Sequence, residues 1–200
     1  RAVTAKCNAQ FAIAVNSATS ALHIACMVLG VEPGDTVWTS PNTFVASANC
    51  ARYCGASVDF VDIDPLTWCM SVERLRQKLE YHQVAGLALP KVVIPVHLSG
   101  QSCEMQAISE LGQKFGFRVI EDASHAIGGE YQNEPLGNCR YSVITVFSFH
   151  PVKIITCGEG GMALTNDKEL ADRMARLRTN GITRDTKQMT REPLGPWYYE

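Results

Sequence analysis

One lysine, Lys153, stands in the run Phe147-Ser148-Phe149-His150-Pro151-Val152-Lys153, which continues to Cys157-Gly158-Glu159-Gly160-Gly161. The β-branched residues Val143-Ile144-Thr145-Val146 precede this run and Met162-Ala163-Leu164-Thr165 follow it, so the lysine falls between two predicted buried strands. Desolvation in an apolar setting lowers an amine's pKa and makes it nucleophilic toward a carbonyl. The alternative is a hairpin-loop lysine with its head in water. A second group is Asp122-Ala123-Ser124-His125, at the end of an apolar stretch. A carboxylate at the carboxyl end of a buried strand can keep a heterocyclic nitrogen protonated, and His125 is close enough in sequence to face the same place. The alternative makes Asp122 a helix cap and His125 its partner. Third, Asn16-Ser17-Ala18-Thr19-Ser20 is a polar, small-residue turn opening a helix. Free backbone N–H groups and hydroxyls there form an anion site, or serve as ordinary capping. Fourth, Phe44 follows Ser40-Pro41-Asn42 in the first turn of a predicted helix, at the mouth of a strand. Flat rings bind at that edge of open α/β sheets, although a core aromatic reads the same way.

The elements that must position these groups alternate along the chain. Residues 11–15 and 36–39 read as strands, with a helix closing at Gly30 and a turn at Pro33-Gly34-Asp35 between them. A helix from Thr43 to about Tyr53 follows, then a strand over 57–61 and an amphipathic helix from Ser71 to about Tyr81. Residues 91–97 read as a fully buried strand, and 102–115 as a helix with Met105, Ile108 and Leu111 on one stripe. Residues 117–122 form the strand that ends in Glu121 and Asp122. Residues 130–137 are a polar excursion with a turn at Asn133-Glu134-Pro135. Asp167 caps a last helix, stopped at Asn180-Gly181. Strand–helix alternation of this kind predicts an α/β fold, a mostly parallel sheet with helices on both faces.

Composition narrows the function classes. Hydrophobic residues make up 46% and charged residues 19%, and the net charge is -2. These values allow a sizeable core and give no reason for the chain as a whole to bind nucleic acid or membrane. No apolar run is long enough to span a bilayer, and Arg1-Ala2-Val3-Thr4-Ala5-Lys6 has no signal-peptide core. The eight cysteines show no C-x-x-C and the five histidines no H-x-x-x-H, which argues against a zinc site and for free thiols in a reducing cytoplasm.

Taken together, an amine, a strand-end carboxylate, a hydroxyl-rich helix N-terminus and an aromatic wall are what pyridoxal 5'-phosphate requires. The aldehyde needs an amine, the pyridine nitrogen a carboxylate, and the phosphate backbone amides and hydroxyls. The segments 16–22, 40–44, 121–125 and 147–161 resemble the DegT-type nucleotide-sugar aminotransferases, pyridoxal-phosphate enzymes of fold type I. The resemblance covers nearly the whole chain, in order. Within the family the chain is most similar to transaminases of pseudaminic acid biosynthesis, and His125, where many relatives have Gln, supports that subgroup. The resemblance implies that Lys153 bonds the cofactor aldehyde and later moves a proton. It implies that Asp122 pairs with the pyridine nitrogen, Phe44 stacks on the ring, and His125 lies near its other side or its hydroxyl. Ser148 and the amides of Ala18 and Thr19 are implied to hold the phosphate. It further implies glutamate as amino donor, a UDP-linked 4-keto-6-deoxy sugar as acceptor, and a homodimer.

Asn180 departs from the family, where His often precedes the glycine. The resemblance also implies a continuation beyond Trp197-Tyr198-Tyr199-Glu200: an Asn reaching the partner's phosphate, then a small C-terminal domain. The expectation is therefore that residues 1–200 are an incomplete large domain, cut at both ends. Two other functions compete with the aminotransferase. One is a non-catalytic large-domain fragment that binds cofactor weakly or not at all. The other is a different pyridoxal-phosphate enzyme such as a cysteine desulfurase, against which Ser148 and the Lys153 block argue.

Overall fold

A computed structural model describes residues 1–200. A short helix α1 (Ala2–Cys7) leads to β1 (Phe11–Val15) and helix α2 (Ala18–Val28). Then come β2 (Thr36–Thr39), α3 (Ala46–Tyr53), β3 (Ser57–Phe60), α4 (Val72–Val84), β4 (Val92–Ile94), α5 (Met105–Phe115) and β5 (Arg118–Asp122). A small hairpin, β6 (Glu130–Tyr131) and β7 (Glu134–Pro135), precedes β8 (Ile144–Ser148), β9 (Gly161–Thr165) and α6 (Lys168–Arg178).

Seven strands form one sheet in the order β1-β9-β8-β5-β4-β2-β3. The strands from β8 to β3 are parallel, and β9 runs antiparallel to both β8 and β1. The sheet is thus mostly parallel but mixed, as the strand–helix alternation predicted. Side chains alternate strictly between its faces. Val37, Val92, Ile94, Ile120, Ile144, Val146 and Ala163 pack with Leu22 of α2, Ala51 of α3 and Met174 of α6. Their neighbours Trp38, Val93 and Val119 pack on the other face with Leu75 and Leu79 of α4 and Ile108 of α5. Phe147 and Leu164 join Cys7 of α1 on that second face. The period of two then decides which acid faces where. Asp122 follows Ile120 by two residues and shares the α2 side; Glu121 faces the opposite side.

Several boundaries differ from the sequence expectation, each for a local reason. Helix α2 begins at Ala18, because Ser17 is already its N-cap and accepts a hydrogen bond from the Ser20 amide at 3.1 Å. Helix α3 begins at Ala46, not Thr43. The Thr43 hydroxyl bonds the Ser47 hydroxyl rather than a backbone amide, and Phe44 leaves the helix line. Strand β4 stops at Ile94, since Pro95 has no N–H to give a ladder. Helix α5 starts at Met105 because the Cys103 amide donates to His97 Nδ1 at 3.1 Å instead of entering a helix. The β6–β7 turn falls on Gln132 and Asn133, both at positive φ, one residue ahead of the expected position.

Candidate active site

At the carboxyl ends of β5 and β8, against the N-terminus of α2, lies a cavity of about 290 Å³. All seven residues singled out in the sequence line it: Ala18, Thr19, Phe44, Asp122, His125, Ser148 and Lys153. They come from segments more than a hundred residues apart, brought together by the sheet order.

The α2 end is built for an anion. The first backbone bond of the helix runs from the Ala21 amide to the Ser17 carbonyl, and the Ser20 amide is taken by Ser17 Oγ. The amides of Ala18 and Thr19 precede the first intrahelical bond and stay free for a ligand. Ser148, buried at the end of β8, pairs across the ladder with Gly161, the first residue of β9. Gly161 in turn touches the helix: a Cβ there would stand 2.2 Å from the Ser17 carbonyl carbon and 2.4 Å from the Ala18 nitrogen. Only glycine lets the helix N-terminus approach Ser148 this closely.

At the opposite end is Asp122, 4% exposed. No helix follows it, so it is not a helix cap; the next residues turn instead. Its Oδ1 accepts from the amide and hydroxyl of Ser124, at 3.1 and 2.6 Å, and its Oδ2 accepts from Ser47 Oγ at 2.6 Å. A buried carboxylate held by two hydroxyls and an amide is fixed in orientation and retains lone pairs for a donor in the cavity.

Lys153 lies on the connection 149–160 between β8 and β9, positioned by its own amide bond to the His150 carbonyl at 2.9 Å. Its Nζ has no hydrogen-bond or ion-pair partner. Burial holds its pKa below the usual lysine value, opposed by the charge of Asp122. The expected apolar enclosure is only partial, because Ile154 and Ile155 are exposed and Val152, although it lines the cavity, is exposed as well. His125 Nδ1 accepts the Ser99 amide at 3.2 Å, which assigns the ring proton to Nε2. Burial and then the Lys153 charge lower its pKa, with Asp122 opposing, which disfavours the imidazolium form. Phe44 is 70% exposed and forms one wall of the cavity.

Sequence reasoning missed Ser47, Ser124 as a carboxylate partner, and the demand on Gly161. Ser47 is separated from Asp122 by 75 positions, and nothing local to it signals that contact. The residues present fit pyridoxal phosphate: free amides beside Ser148 for the phosphate, a partnerless amine, and an oriented carboxylate with lone pairs to spare.

The mixed sheet, with a lysine on the β8–β9 connection and an acid closing β5, is the architecture of fold type I pyridoxal-phosphate-dependent transferases. The chain belongs to the DegT/DnrJ/EryC1/StrS aminotransferase family, whose profile matches residues 1–198. It is 41% identical over 181 residues to GDP-perosamine synthase of Caulobacter vibrioides, an alignment covering 88% of this chain and 45% of that protein. Among solved structures it resembles Helicobacter pylori PseC, an aminotransferase of pseudaminic acid biosynthesis. The TM-score is 0.82 at 30% identity, over 94% of this chain and 48% of that one. It also resembles Bacillus subtilis NtdA with bound cofactor PMP, with a TM-score of 0.76 at 30% identity, over 87% of this chain and 37% of that one. The chain spans about half the length of the curated relatives it matches.

Proposed function

We propose that residues 1–200 are the cofactor-binding large domain of an aminotransferase that moves an amino group from glutamate to C4 of a UDP-linked 4-keto-6-deoxy sugar. The observation that carries this reading is the meeting of a partnerless Lys153 Nζ and the oriented Asp122 carboxylate in one cavity that ends on the free amides of α2. Bound pyridoxal phosphate supplies an aldehyde that condenses with amines and a ring that takes up an electron pair when its nitrogen is protonated. The chain's own groups do the rest. The Ala18 and Thr19 amides and Ser148 Oγ hold the phosphate. Asp122 keeps the ring nitrogen protonated. Phe44 would wall one side of the ring, and His125 would offer Nε2–H near the other side or the ring hydroxyl. Lys153, with its pKa depressed, has a larger neutral fraction than a free lysine and can take a proton from Cα of the donor.

The choice of a UDP-linked sugar rests on the likeness to PseC and on His125; the likeness to GDP-perosamine synthase makes the base the first thing to test. A homodimer is part of the reading. Val152, Ile154 and Ile155 of the lysine connection and Phe44 and Val45 beside it are exposed at the cavity rim, where a second copy would cover them. Eight free cysteines, six of them buried, suit the reducing cytoplasm, and no helix is long and apolar enough to cross a membrane.

The test is an absorbance titration. The chain is expected to develop a visible band with pyridoxal phosphate, and glutamate should abolish that band. UDP- and GDP-linked 4-keto sugars should then restore it to different extents. Absence of a visible band would refute the reading. A band indifferent to glutamate would assign the chain cofactor binding without turnover.

A further inference from the structure

Ser47 does not line the cavity, is 0% exposed, and yet spends its hydroxyl on Asp122. It has one proton and three neighbours within reach: Asp122 Oδ2 at 2.6 Å, Thr43 Oγ1 at 2.7 Å and the Phe44 carbonyl at 3.3 Å. The carboxylate is the shortest contact and the charged acceptor, so it takes the proton. The Ser47 oxygen is then free to accept, and Thr43 donates to it. The result is a one-way chain from Thr43 to Ser47 to Asp122. Thr43 is the residue before Phe44, on the loop that walls the cavity.

We infer that Thr43 and Ser47 are positioning residues: their hydroxyl chain sets the orientation of the Asp122 carboxylate and ties it to the loop that carries Phe44. Ser124 alone would anchor the carboxylate at one edge, Oδ1; the two oxygens turn together about the Cβ–Cγ bond, so the Ser47 bond to Oδ2 resists that turn from the other edge. With Ser47 in place both oxygens are held, and the plane of the carboxylate faces the cavity before any ligand arrives. Order in the Phe44 wall and order in the carboxylate are therefore coupled. The inference rests on the cofactor reading above, and its test separates the two.

The probe is pyridoxal phosphate itself, titrated by absorbance into the full chain and into Ser47→Ala, Thr43→Val, Thr43→Ser and Asp122→Asn. The melting temperature of each without cofactor is measured alongside. Ser47→Ala is expected to weaken binding severalfold, with roughly tenfold, the whole of one hydrogen bond to a charged group, as the ceiling, because the bond is already made before the cofactor arrives. It should also move the visible band toward that of Asp122→Asn. Thr43→Val should do both to a smaller degree, and Thr43→Ser, which keeps the hydroxyl, should restore the parent values. A purely structural role would lower the melting temperature and leave the band in place. A Ser47→Ala protein with parental affinity and band position overturns the inference. If Ser47→Ala does not fold, the Thr43 pair decides by the same readouts: equal behaviour of Val and Ser there also overturns it. If Asp122→Asn itself changes neither affinity nor band, the cofactor reading is at fault and the inference falls with it.

Discussion

Replacing Gly161 by alanine should disable the anion end of the cavity. The added Cβ would sit 2.2 Å from the Ser17 carbonyl carbon, 2.3 Å from its oxygen and 2.4 Å from the Ala18 nitrogen. All three are backbone atoms, so no side chain can rotate away. Restoring the 3.4 Å of ordinary contact requires the helix N-terminus to retreat by about 1.2 Å. A hydrogen bond of ~2.9 Å stretched by that amount is no longer one. Two amides, Ala18 and Thr19, would be lost to the phosphate together. At the low end of ~1.5 kcal/mol for each bond to a charged group, the cost is ~3 kcal/mol, or about two decades in cofactor affinity. Forcing a methyl group into packed backbone should also cost about 1–3 kcal/mol in stability. For a chain of this size that lowers the melting temperature by roughly 2–4 °C per kcal/mol. Equilibrium titration with pyridoxal phosphate and thermal unfolding of the apo-protein measure the two effects separately. A Gly161→Ala protein that binds the cofactor within twofold of the parent would refute the argument, because the helix amides would then not be the phosphate's partners.

Other outcomes follow from the same geometry. Borohydride treatment of the chain with pyridoxal phosphate should fix one cofactor to Lys153, seen by peptide mapping. Lys153→Ala should leave the melting temperature near the parent value and give no specific adduct, and a modified second lysine would remove Lys153 from its role. The rate of that capture should rise with pH to a midpoint below 10.5, since burial depresses the amine's pKa; a midpoint at or above 10.5 would show an ordinary solvated lysine. On the other face, burial raises the Glu121 carboxyl pKa, but the hydrogen bond and charge of His97 and the hydroxyls of Ser142 and Thr145 more than offset it, and the net shift is downward. A depressed folded-state pKa means that Glu121 stabilises the fold above pH 4.5 and that this contribution disappears as pH falls further. Glu121→Gln should therefore unfold more readily at neutral pH and lose less stability on acidification, as chemical denaturation at pH 7 and pH 4 would show. Equal pH slopes for parent and variant would count against it.

Much of the fold was legible because apolar periodicity carries it. Residues 117–122 announce a strand, buried as expected except at Arg118, and the stripe Met105, Ile108 and Leu111 announces a helix face, buried as expected. Lys153, Asp122 and the Ser17–Thr19 turn were legible because an amine, an acid and a capping turn have distinct chemistry in one dimension. What escaped was set by through-space contact. The start of α3 depends on a hydroxyl of Thr43 finding Ser47 rather than an amide. Cys103 delays α5 because a histidine six residues earlier claims its amide. Gly161 stands in the sequence only as the second of a glycine pair ahead of a short strand, and its approach to Ser17 alone reveals why no other residue fits.

The place of β9 in the sheet has a consequence for how the chain acquires its site during synthesis. Strand β1 has a single ladder partner, β9, and the two are separated by almost the whole length of the domain. A nascent chain that has released residues 1–160 holds β1 and the amides of α2 without the strand that docks them to β8. The cavity therefore cannot be complete until β9 has left the ribosome. Until then the first strand is an unpaired edge, the condition in which long-range sheets are most exposed to aggregation and to chaperones.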